Sequence, residues 1–108
     1  YVHFDHSYLD IIFNNLFKNS IEALSSTNKP SIEITLKLIN SNLILTFFDN
    51  GPGYDGDIDD LIKPYFSTKN SSGLGLSLIN KIITDNSYKM NITTNSYSGF
   101  KIEIIFYD

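Results

Sequence analysis

The sequence predicts an α/β (α+β) two-layer sandwich: a mixed, mostly antiparallel sheet of about five strands with helices on one face. Apolar residues recur at helical spacing over about 7–25 and 74–85, while 31–39, 43–49, 89–95 and 100–107 alternate with period two. The polar triplet Asn40, Ser41, Asn42 joins the first two alternating runs into a hairpin with one wet face. A chain of 108 residues is one domain, large enough for a single core and too small for two. It begins at Tyr1, without an initiator Met and in an extended stretch, and stops at Asp108 directly after a strand. That is the expected look of a domain cut from a longer protein.

Composition closes off several functions. The net charge is −4, with acids and bases scattered, which argues against a nucleic-acid surface. No cysteine is present, so neither a disulfide nor a thiolate metal site is available. No apolar run approaches the roughly 18 residues of a membrane helix, and no signal peptide is visible. A cytoplasmic domain without direct membrane contact is expected, whether or not its parent is membrane-anchored. His3 and His6 read as surface or packing residues, since neither has a second ligand at metal spacing.

In the first helix Leu9, Ile12, Phe13, Leu16, Phe17, Ser20, Ile21 and Leu24 form one broad, largely apolar face. Beside it runs a second stripe, Asn15, Asn19 and Glu22, at i, i+4 and i+7. Asparagine is a poor residue for a helix interior, and a merely solvated face has better choices. The stripe therefore marks a polar site at the edge of the core, with a solvated face as the plain alternative.

Leu43, Leu45, Phe47 and Asp49 share one strand face, so the strand ends by carrying a carboxylate beside three large apolar groups. Burying that carboxylate is costly unless it is hydrogen-bonded. Asn50, Gly51, Pro52 and Gly53 then force a turn that lets backbone approach a ligand. The plain alternative is a turn whose own amides bond Asp49. About 57–62 reads as a short acidic helix ended by Pro64, and 65–72 as an aperiodic polar loop. Gly73, Leu74, Gly75 and Leu76 open the second helix, where free amides and the positive dipole end suit an anion, with Lys69 just before them.

Taken in order, these pieces resemble the ATP-binding domain shared by gyrase-type topoisomerases, ninety-kilodalton chaperones, mismatch-repair ATPases and sensor histidine kinases, the Bergerat fold. Residues 15–24, NLFKNSIEAL, resemble its N box, and 49–53, DNGPG, its G1 box. Residues 64–69, PYFSTK, resemble the F box, and 73–76, GLGL, the G2 box. The resemblance covers nearly the whole chain and implies ATP and Mg²⁺ as ligands. It implies nucleotide contacts from Asn15, Asn19, Asp49, Gly51, Gly53, Phe66, Lys69, Gly73, Leu74, Gly75 and Leu76. Asp49 would accept from the adenine amine, Gly53 would admit the base, and Asn19 would ligate Mg²⁺. Asn15, Asn19 and Lys69 are the implied catalytic set, with Lys69 adding positive charge from a lid.

The branch is implied by one position. The family's hydrolysing members carry glutamate four residues before the magnesium asparagine, where this chain has Asn15, which cannot take a proton. A histidine nucleophile has less need of a base there. The pattern thus resembles a histidine kinase catalytic domain, donating phosphate to a histidine on a separate dimerisation domain, with a response regulator downstream. A topoisomerase- or chaperone-type ATPase and a non-catalytic nucleotide-binding module are the rival readings. Neither His3 nor His6 sits in an acceptor-like context, Ser71 stands at the usual first glycine of the G2 box, and Phe100 stands where a small hydroxyl residue is usual.

Overall fold

Two hairpins and two long helices carry the architecture. The computed structural model describes residues 6–63, 75–95 and 99–107. Helix α1 (His6–Leu24) leads to strands β1 (Ile32–Ile39) and β2 (Asn42–Asp49). A short helix α2 (Ile58–Leu61), helix α3 (Gly75–Asp85) and strands β3 (Lys89–Asn95) and β4 (Gly99–Phe106) follow. No helix among the described residues is long and apolar enough to cross a membrane.

The first hairpin closes through Asn40 and Ser41, whose φ values of 51° and 68° are the signature of a type I′ turn. That turn sets the register from Ile39 opposite Asn42 to Ile32 opposite Asp49. Sheet order is β1-β2-β4-β3, and all three pairings are antiparallel. The expectation of a mixed sheet of about five strands is thereby corrected. Among the described residues there are four strands, antiparallel throughout. Each hairpin pairs its own strands antiparallel, and the two meet antiparallel along β2 and β4, so no parallel pair arises. The extended piece expected at residues 1–5 lies outside the described residues, as does the loop expected at 65–72.

The core forms where α1 and α3 cover one face of the sheet. Leu45 and Phe47 of β2 sit opposite Ile104 and Ile102 of β4, and all four are buried with Phe106. Ile12 and Leu16 of α1 and Ile79, Ile82 and Ile83 of α3 close over them. Tyr88 meets the Phe106 ring edge-on at 5.1 Å. The helix ends are also answered. Ser25 Oγ donates to the Glu22 carbonyl, Asn86 Nδ2 to the Ile82 carbonyl, and Asp57 caps α2 by accepting from the Asp59 N–H.

The apolar face of α1 is narrower than its sequence pattern. Ile12, Leu16 and Ser20, spaced i, i+4, i+8, are buried, whereas Phe17 and Ile21 are exposed, Ile21 at 66%. Phe17 still meets the Phe47 ring edge-on at 5.4 Å. The reason is placement: the helices cover β2, β4 and β3, and leave the edge strand β1 open. Ile34, Leu36 and Leu38 share the core face by register yet remain exposed.

This asymmetry gives a direct test. Leu45 and Leu36 are cross-strand partners on the same face, at 0% and 53% exposure. Leu45→Ala should cost about 2–5 kcal/mol in urea unfolding, through lost burial plus a cavity. Leu36→Ala should cost no more than about 1 kcal/mol. Equal losses would contradict the one-sided packing.

Candidate functional site

The site begins at the end of β2. Phe47 and Asp49 point the same way, so the strand that anchors the core delivers a carboxylate to its rim, 3% exposed. Two donors answer it. The Ser20 hydroxyl donates to Asp49 Oδ2 at 2.9 Å, and the Gly51 N–H donates to Oδ1 at 2.9 Å. Burial pushes the Asp49 carboxyl above the ordinary carboxylate value, and the bonds from Gly51 and Ser20 pull it part of the way back. Neither ion pair among the described residues involves it; those join Lys63 to Asp60 and Lys81 to Asp85.

The turn after Asp49 is held from both sides. Asn50 Oδ1 accepts from the Ser31 N–H at 2.7 Å, and its Nδ2 donates to the Lys29 carbonyl at 3.0 Å. Asn50 therefore ties the turn to the approach of β1. On the other side the Tyr54 N–H donates to Thr94 Oγ1 at 3.0 Å, and that hydroxyl donates to the Gly99 carbonyl at 2.6 Å. Gly53 has φ +71°, and a Cβ there would run into the Asn95 carbonyl. At Gly51 a Cβ would sit 2.9 Å from Asp49 Oδ1, against the carboxylate.

A cleft of about 590 Å³, including its mouth to solvent, opens over this floor. Leu16, Ala23, Leu61, Leu76 and Phe100 give it apolar walls, Asn19, Ser20 and Asp49 its polar groups, and Pro52, Gly53 and Tyr54 one rim. The mostly apolar lining with a few convergent polar groups suits a small organic ligand. Toward α3 the chemistry changes. Gly75, the first residue of that helix, is packed so closely that a Cβ would lie 2.9 Å from Asn19 Nδ2 and 3.3 Å from Asn15 Oδ1. Asn15 Nδ2 donates to the Ile11 carbonyl at 2.8 Å, so its amide is anchored to its own helix.

Of the residues singled out from the sequence, Asn19, Asp49, Gly53 and Leu76 line the cleft. Asn15 and Gly75 stand beside Asn19, and Gly51 backs the carboxylate. Phe66, Lys69, Gly73 and Leu74 lie outside the described residues. Sequence reasoning missed Ser20, which it counted as part of the apolar face, and the walls from Leu61, Tyr54 and Phe100. The available signal for Ser20 was a hydroxyl four residues after Leu16, on a stripe otherwise apolar. For Phe100 it was the pairing of the last strand with β2, which puts it opposite Asp49.

No group of three or more His, Cys, Asp or Glu among the described residues could cage a metal. The donor chemistry present, the Asn19 amide oxygen at the α3 end of the cleft, suits a hard cation that keeps water and takes further oxygens from its ligand.

Over residues 4–107 the sequence matches the family of histidine kinase-, DNA gyrase B- and HSP90-like ATPases. It is 36% identical over 108 residues to the sensory histidine kinase/phosphatase NtrB of Rhizobium leguminosarum bv. phaseoli, covering 84% of this chain and 28% of that protein. With the signal transduction histidine-protein kinase AtoS of Escherichia coli (strain K12) it shares 33% identity over 98 residues, 89% of this chain and 16% of that one. Among solved structures, the nucleotide-free catalytic domain of histidine kinase ThkA superposes with a TM-score of 0.79 at 27% identity, covering 97% of this chain and 69% of that chain. The chain spans less than a third of the length of the curated relatives it matches. A buried carboxylate at a glycine turn, paired asparagines on α1 and this match together place the chain in the histidine kinase-, DNA gyrase B- and HSP90-like ATPase family, as a histidine kinase ATP-binding catalytic domain.

Proposed function

We propose that this chain binds Mg-ATP in the cleft and donates the γ-phosphoryl group to a histidine on a separate dimerisation domain, from which a response regulator is then phosphorylated. The observation that carries the reading is the buried Asp49 carboxylate, which among the described residues has no cation beside it and is bonded by Ser20 and Gly51 alone. A buried acceptor of this kind fits the exocyclic amine of adenine, and the walls from Leu16, Leu61, Leu76 and Phe100 fit the faces of the base. Asn19 lies toward α3, and its amide oxygen would hold Mg²⁺. When bound there, Mg²⁺ neutralises phosphate charge. The α3 N-terminus presents backbone amides on the same side. As the resemblance implies, Lys69 and the amides around Gly73 and Leu74 would add to the phosphate side, and Phe66 would belong to the covering segment.

The rate would come from positioning and charge stabilisation rather than from a protein base. Asn15 cannot accept a proton, and its amide is already tied to the Ile11 carbonyl. This favours transfer to a nucleophilic histidine over activation of water.

Isothermal titration tests the base contact. Asp49→Asn should weaken ATP binding about 10- to 100-fold, because an amide offers the base a weaker, uncharged acceptor or a donor in its place. Its effect on folding should be opposite in sense. Since the folded carboxyl titrates above its unfolded value, the native state holds the proton more readily, and the ionised group costs stability at neutral pH. That cost is relieved as pH falls through the raised folded value. Asp49→Asn should therefore fold at least as stably near neutral pH and lose the acid-side gain. Unchanged ATP affinity would sink the assignment.

Asn19→Ala should weaken ATP binding in the presence of Mg²⁺ more than in its absence, since it removes a metal ligand and no base contact. Equal losses with and without the metal would make Asn19 a structural residue.

Steady-state phosphate release measures the third consequence. The isolated chain should bind ATP yet hydrolyse it slowly, because a missing general base costs about 10²–10⁴-fold. Asn15→Glu should release phosphate faster once its ATP affinity has been checked. Release by the unmutated chain at rates typical of ATPases would overturn the kinase reading.

A further inference from the structure

Ser20 is 2% exposed, projects from the C-terminal part of α1, and spends its hydroxyl proton on a residue 29 positions away. A helical serine ordinarily has a nearer partner, the carbonyl one turn back along its own helix. Here the hydroxyl instead reaches Asp49 Oδ2 at 2.9 Å, while the Gly51 N–H takes Oδ1 at 2.9 Å. With one donor on each oxygen, from two different elements, the carboxylate plane is fixed. No other described side chain answers this carboxylate. Its cross-strand partner on β4 is Phe100, an aromatic ring without a hydrogen-bonding group.

We propose that Ser20 is a positioning residue for base recognition, holding the Asp49 carboxylate so that its remaining lone pairs face the cleft and leaving the cleft floor with acceptors only. This rests on the reading that the cleft takes ATP, and it deepens that reading toward base choice. Both donors at the floor are consumed, the Ser20 O–H on Oδ2 and the Gly51 N–H on Oδ1. Among the described residues, what Asp49 and Ser20 keep for the ligand is carboxylate and hydroxyl lone pairs. Such a floor welcomes a 6-amino purine and opposes a 6-oxo purine, which would bring a carbonyl oxygen against them. Without the Ser20 hydroxyl the carboxylate loses one of its two fixings, and the geometry presented to the amine is no longer unique.

A structural role and a positioning role predict different ligand dependence. Titrations compare ATP with purine riboside triphosphate, which lacks the 6-amino group, on the unmutated chain, Ser20→Ala and Ser20→Cys. Ser20→Ala should weaken ATP binding about tenfold, the effect of losing one charge-assisted hydrogen bond, and purine riboside triphosphate binding by less than about twofold. Ser20→Cys, close in size and a weaker donor, should fall between. It carries the test alone if thermal unfolding shows that the alanine variant does not fold. Equal weakening of both nucleotides, or unchanged ATP affinity, would overturn the positioning role. An unmutated chain that binds ATP no better than purine riboside triphosphate would overturn the Ser20 role while leaving nucleotide binding intact. One that binds neither would overturn both readings.

Discussion

Asp49 is 3% exposed, its carboxylate is costly to bury without hydrogen bonds, and the way it meets that demand organises the molecule. One oxygen is answered by Gly51, two residues on, which requires the tight turn after β2 and leaves no room for a Cβ. The other is answered by Ser20, which requires the third buried turn of α1 to lie against the end of β2. The register of helix on sheet is thus specified by one polar contact as well as by Leu16, Phe47 and Ile102 around it. Removing either donor would strand a buried acceptor, so the carboxylate constrains helix, turn and strand together.

The same helix serves both ends of the cleft. Ser20 and Leu16 face the carboxylate and the apolar walls, whereas Asn19 and Asn15 face the start of α3. Neighbouring positions on one helix therefore divide the site into an end suited to a flat base and an end suited to charge. Because Ser20, Asn19 and Asn15 ride on one helix, their mutual spacing does not depend on loop conformation. Gly75 completes the arrangement by letting the α3 backbone come within contact of the Asn19 amide.

Much of this was legible in the residues. The Asn15 and Asn19 stripe, the polar end of a strand at Asp49 and the glycine-flanked helix start each broke a local rule of propensity or burial. Such breaks collect where a site is built. The limits of the apolar face on α1 were less legible. Periodicity showed that Phe17 and Ile21 lie on the apolar side, but not that α1 would cross β2 and leave β1 uncovered. The parallel pair failed for a similar reason, because pairing partners depend on how hairpins meet and not on alternation within each strand. Ser20 escaped because a small hydroxyl on a helix interior fits either a packed face or a polar contact. Only the approach of Asp49, distant in sequence, separates the two.

The Asn40–Ser41 turn reaches further than its position suggests. It stands nine residues from Asp49, at the far end of the hairpin from the cleft. Side chains alternate with period two, so a slip of one residue in the β1–β2 pairing turns over whichever strand moves. β2 is held by β4 and by Leu45 and Phe47 in the core, whereas β1 is an open edge, so β1 is the strand that yields. The approach to β1, which Asn50 grips through the Ser31 N–H and the Lys29 carbonyl, would then shift against the turn that follows Asp49. Inserting or deleting one residue at this hairpin tip is therefore felt at the opposite end of the hairpin, beside the carboxylate.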